Sequence, residues 1–69
     1  MSGRELEVLQ LAARGLRTKD IATALQVSTR TVESHFTSIF NKLGASSRTE
    51  AVLQAAARGW INPERAPDR

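Results

Sequence analysis

No cysteine occurs among the 69 residues, so neither a disulfide framework nor a thiolate metal site can brace the chain. A single histidine, His35, and no paired acid and base leave catalysis nothing to work with. An enzymatic activity, a metal and a cofactor are therefore not expected. No apolar run approaches the ~20 residues that cross a bilayer, and no secretory signal opens the chain, which makes a cytoplasmic location the expectation. Strand-type alternation, internal repeats and low-complexity stretches are missing too. What remains is one small domain, of a size that buries only ~60% of the surface its unfolded form exposes.

Ten Lys and Arg against seven Asp and Glu leave a net charge of +3 and a pI near 10.7. In so small a body this favours an anionic partner. The excess is moderate, and charge alone does not identify that partner.

The chain punctuates itself into four helical segments, an all-α pattern. Ser2-Gly3-Arg4-Glu5 has capping-box spacing, with Ser2 at N-cap and Glu5 as its partner three residues on. Leu6, Leu9 and Ala13 follow at helical spacing, widened by Val8 and Ala12, and Gly15 suits the C′ position. A chain that opens on its N-cap also looks trimmed from something longer. Thr18 is the expected cap of a second, shorter helix with Ile21, Ala22 and Leu25 inward. Small Ala22 lets a following helix cross closely. Gln26-Val27-Ser28 makes a three-residue connection, with Val27 buried and Ser28 capping the next helix. Ser47-Arg48-Thr49-Glu50 is a second capping box. It opens a fourth helix, 47–58, with Gly59 behind it.

The third helix, 29–43, has two unlike faces. At about 100° per residue, Val32, Phe36, Ile39 and Leu43 fall within an arc of roughly 60°. Arg30, Ser34, Thr37 and Asn41 fill a similar arc almost diametrically opposite. The first face fits a core. The second carries short hydrogen-bonding side chains and one arginine, a combination that suits base edges in a DNA major groove. A short helix, a tight turn and a longer helix of this kind, spanning 18–43, form a helix-turn-helix pattern.

The fourth helix carries two apolar arcs. Ala51, Val52, Ala55 and Ala56 make one, and Thr49, Leu53, Ala57 and Trp60 make a second, offset one. That is more apolar surface than one side needs, which points to a second contact, a homodimer seam. Such a seam is small, so dimers of the isolated piece are expected to be weak or dependent on DNA. From Asn62 on, NPERAPDR has two prolines, mixed charge and no periodicity, and 62–69 reads as a disordered tail beyond a domain of 1–61.

The stretches RELEVLQLAARGL, TKDIATAL, VSTRTVESHFTSIFNKLG and SSRTEAV resemble the C-terminal DNA-binding domain of LuxR-type (NarL/FixJ-type) bacterial transcription regulators. They cover residues 2 to about 58 in the family's order and spacing. The resemblance implies a four-helix domain, with the second and third helices as helix-turn-helix and the fourth as dimer surface. It also implies a promoter-binding regulator, usually governed by an upstream receiver or ligand-sensing domain. Two departures stand out. Glu33 occupies a position where the family usually has a basic residue. Arg17 replaces a common serine cap, which moves that duty to Thr18.

With that resemblance, base readout falls to Arg30, Glu33, Ser34 and Thr37 in the N-terminal half of the third helix. Arg30 suits guanine, Glu33 a cytosine amino group, and Thr37 a thymine methyl. Phosphate contacts fall to Thr18, Lys19, Ser28 and Thr31 at helix starts, and to Ser38, Lys42 and Arg48 along the flank. Ser28 serves as cap and contact together. His35, at the margin of the apolar arc, reads as a packed, hydrogen-bonded structural residue. The partners expected are duplex DNA and a second copy of the chain. Two other readings of the same pattern stay open: a helical protein-interaction module whose polar stripe is only solvated, and a sigma-factor-like promoter-recognition domain.

Overall fold

The computed structural model describes residues 1–62, which form four α-helices: α1 Gly3–Ala13, α2 Thr18–Leu25, α3 Thr29–Leu43 and α4 Arg48–Ala57. Helices α1 and α3 each pack against the other three. Among the described residues α2 and α4 do not pack on each other, so they flank the α1–α3 pair.

The apolar arc of α3 closes the centre: Val32 and Ile39 are fully buried, with Phe36 and Leu43 nearly so. Against it lie Val8 and Leu9 of α1, Ile21 and Ala22 of α2, and Ala51 and Ala55 of α4. Each fully buried Val, Leu or Ile contributes roughly 1.5–3 kcal/mol. The inward stripe of α1 is rotated from the expected one. It centres on Glu5, Val8 and Leu9, while Leu6 and Ala13 are only half-buried. Glu5 lies on that inward stripe, where its carboxylate meets Ser38 and Lys42 of α3.

Local chemistry sets the helix ends. Ser2 and Glu5 form a complete capping box: Glu5 N–H donates to Ser2 Oγ at 3.2 Å, and Ser2 N–H to Glu5 Oε1 at 3.0 Å. At α2 the cap differs from expectation. Arg17 holds the N-cap position in extended geometry, Thr18 is the first helical residue, and Arg17 N–H donates to Asp20 Oδ2 at 3.3 Å. Arginine has no acceptor to offer, so the reciprocal half comes only from Asp20. At α4, Ser47 Oγ accepts from Glu50 N–H at 3.1 Å. The Glu50 carboxylate reaches one residue further back than a capping box requires, accepting from Ser46 N–H and Oγ at 2.8 and 2.9 Å.

The turn of the helix-turn-helix rests on Gln26, which adopts the left-handed conformation at φ 60° without being glycine. Val27 N–H then donates to Ala22 O at 2.9 Å, directing the chain into α3. Val27 itself is half-buried rather than buried, since it sits over the edge of the core. Gly44, at φ 65°, ends α3 in the conformation that glycine adopts without a Cβ penalty.

The end of the described chain closes the core. Ile61 is buried, and the Gln10 side-chain amide grips the backbone of Asn62, donating to its O at 3.1 Å and accepting from its N–H at 3.2 Å. Asn62 is therefore tied to α1. The rest of the expected tail, 63–69, lies outside the described residues.

Candidate nucleic-acid interface

Burying one arc of α3 leaves the opposite arc outward: Arg30, Glu33, Ser34, Thr37 and Asn41 are all exposed. Ser28 caps the helix through its Oγ, which accepts from Thr31 N–H at 3.1 Å and lies 3.1 Å from Thr31 Oγ1. Thr37 Oγ1 donates to the carbonyl of Glu33 at 3.1 Å. Its only hydroxyl proton is thereby committed, so Thr37 presents lone pairs and a methyl group outward.

The two flanks of α3 differ. On one, Ser38 Oγ donates to Glu5 Oε2 at 2.7 Å and Lys42 Nζ to Glu5 Oε1 at 2.8 Å. Glu5 is thus a buried junction between α1 and α3 as well as a cap. Hydrogen bonds from Lys42, then from the Ser2 N–H and the Ser38 hydroxyl, outweigh its burial and hold its carboxyl at about 2. Ser38 has committed its one proton there, and the charge of Lys42 is already paired. Glu5 thus engages both residues for which a phosphate contact is expected, although the Lys42 side chain stays 49% exposed and keeps further N–H donors.

On the other flank an open notch of about 400 Å³ lies between α2, α3 and α4, edged by Thr18, Glu33, Phe36, Thr37 and Arg48. The Arg48 guanidinium stacks over the Phe36 ring, 4.1 Å from its centroid, and donates to Thr18 Oγ1. Phe36 in turn packs against Phe40 with ring centroids 5.8 Å apart. Lys19 is exposed beside Thr18. Pattern alone places Arg48 on the flank; its stack on Phe36 joins residues far apart in sequence and has no local signature. His35 is half-buried on α3 as expected, yet its imidazole, expected to be hydrogen-bonded, makes no hydrogen bond among the described residues.

The sequence and the fold both match known proteins. The family profile described as "GerE: Bacterial regulatory proteins, luxR family" matches residues 1–55. The chain belongs to the luxR family of bacterial regulatory proteins. It is a helix-turn-helix domain of the DNA-binding transcription regulators in that family. It is similar to the transcriptional regulatory protein YdfI of Bacillus subtilis, 54% identical over 61 residues, which are 88% of this chain and 29% of that protein. It is likewise similar to the transcriptional regulatory protein ComA of Bacillus subtilis, 48% identical over 61 residues, 88% of this chain and 28% of that one. The solved structure of the transcription factor GerE superimposes with a TM-score of 0.89 at 38% identity, covering 93% of this chain and 96% of that one. The chain thus spans less than a third of these two curated relatives but nearly all of the GerE chain.

On α4, Ala51 and Ala55 are fully buried, whereas Thr49, Leu53 and Ala57 are exposed, Leu53 at 63%, as is Trp60, which lies beyond the end of the helix rather than on it. Trp60 lies against Arg58, whose guanidinium is 5.0 Å from the indole centroid. The second apolar arc is therefore on the surface. Among the described residues no helix is long and apolar enough to cross a membrane.

Proposed function

We propose that the chain reads a specific duplex sequence by laying the N-terminal half of α3 in the major groove, as the output domain of a cytoplasmic transcription regulator. The observation that carries this is the exposed row Arg30, Ser34 and Thr37 on a helix whose opposite face is locked into the core. Arg30 is the candidate for a guanine edge. Ser34 donates or accepts, Glu33 accepts from a cytosine amino group, and Thr37 offers its methyl or its lone pairs. Thr18, Lys19, Ser28, Thr31 and Arg48 form the phosphate frame around them, with Ser38 and Lys42 in a lesser part because Glu5 already engages both.

Two copies would bind half-sites about one helical turn apart, ~34 Å, paired through Thr49, Leu53, Ala57 and Trp60. The exposure of Leu53 supports that seam. Relatives more than three times as long support an upstream receiver or ligand-sensing domain in the whole regulator. The test is fluorescence anisotropy with a duplex bearing selected half-sites against a scrambled duplex. Preference for the first supports the proposal, and equal affinities for the two overturn it.

A further inference from the structure

We propose that Arg48 and Thr18 act as one preassembled phosphate clamp that joins α4 to the helix-turn-helix, and that their contributions to DNA binding are inseparable. This rests on the duplex-binding reading above and specifies how one backbone contact is built.

Helices α2 and α4 do not pack together among the described residues, yet Arg48 begins α4 and its guanidinium donates to Thr18 at the start of α2. Between them the same guanidinium rests on the face of Phe36, a buried α3 residue one turn along from the exposed Arg30–Glu33 segment. Three helices therefore meet on one planar cation. A guanidinium carries five N–H donors in a fixed fork. The hydrogen bond to Thr18 leaves others for the notch beside Glu33 and Thr37. Glu33 lines that notch without forming an ion pair to Arg48, so the cation is not neutralised within the described residues. The fork, already oriented by ring and hydroxyl, matches two oxygens of a phosphate without further ordering. Lysine keeps the charge but neither the stacking plane nor the fork.

Inseparability is the measurable consequence. Without the Thr18 hydroxyl the guanidinium loses its orientation, and without the fork the hydroxyl has nothing to orient. The experiment measures anisotropy of a labelled duplex with the wild-type chain, Thr18→Val, Arg48→Lys and the double variant, at several salt concentrations. Thr18→Ser serves as a variant that keeps the hydroxyl. Each of the two single variants is expected to lose roughly tenfold in affinity, the double to lose no more than about twofold beyond the worse single, and Thr18→Ser to bind like wild type. Arg48→Lys should keep the wild-type salt slope, because the charge count is unchanged. Thermal melts identify any variant measured too close to unfolding, and Thr18→Val against Thr18→Ser decides the matter if Arg48→Lys is unstable. Losses that multiply, or Arg48→Lys or Thr18→Val binding like wild type, overturn the clamp while leaving duplex binding intact. A wild-type chain that binds no duplex overturns the functional reading itself.

Discussion

Lys42 Nζ lies 2.8 Å from Glu5 Oε1, joining the last turn of α3 to the first turn of α1 across 37 residues of sequence. Ser38 completes the junction on the other carboxylate oxygen. Helix α3 is thereby fixed at its C-terminal half by a buried charge, and Arg30, Glu33, Ser34 and Thr37, the residues proposed for readout, stay exposed toward its N-terminal half.

Glu5→Gln removes the charge but keeps the shape, and should destabilise the domain by about 1.5–3 kcal/mol, read from denaturant unfolding. The acid limb follows from the same group. Its folded pKa, about 2, lies below the ordinary 4.5, so the stabilisation is present in full above about pH 5. It is lost as pH falls from there toward 2. Stability of the wild type should drop on the order of 3 kcal/mol over that window from this group alone, and Glu5→Gln should flatten the drop.

Lys42→Met should lower the melting temperature while changing the salt slope of DNA binding by well under one unit, because Glu5 already pairs that charge. Lys19→Ala, an exposed cation outside any ion pair among the described residues, should lower the slope by roughly one. Salt titrations of anisotropy separate the two.

Thr37→Ala should cost about 1 kcal/mol on the preferred duplex and close to nothing on scrambled DNA, with stability nearly unchanged. The hydroxyl proton is held by the Glu33 carbonyl, so the substitution takes away a methyl group or an accepted hydrogen bond at the base edge. Glu33→Gln should raise affinity for scrambled duplex severalfold by removing a carboxylate from the notch proposed to receive a phosphate.

Leu53→Asp should leave the melting temperature within a few degrees of wild type, since Leu53 is 63% exposed. On a duplex with two half-sites it should abolish cooperative binding of the second copy, measured by sedimentation or mobility shift.

The helix count, both faces of α3, the Ser2, Ser28 and Ser47 caps and the two arcs of α4 were legible in the sequence. Each depends on neighbours three or four residues away, which periodicity exposes. Much of the site depends on distant partners. Glu5 reads as a cap from its neighbours, and only the packed fold brings Ser38 and Lys42 to it. Arg48 reads as a surface cation until Phe36 comes beneath it. Gln26 gives no composition signal for a left-handed turn, and Arg17 none for an N-cap. Gln26 makes the tight joint between α2 and α3, and at Arg17 the cap bond is supplied by Asp20. The grip of Gln10 on Asn62, 52 residues away, is invisible for the same reason.

Selecting binders from a random duplex pool with the purified chain tests the central claim most directly. The account predicts an enriched motif whose preferred bases change when Arg30, Glu33, Ser34 or Thr37 is substituted. A pool that stays unenriched, or a motif indifferent to all four substitutions, would contradict it.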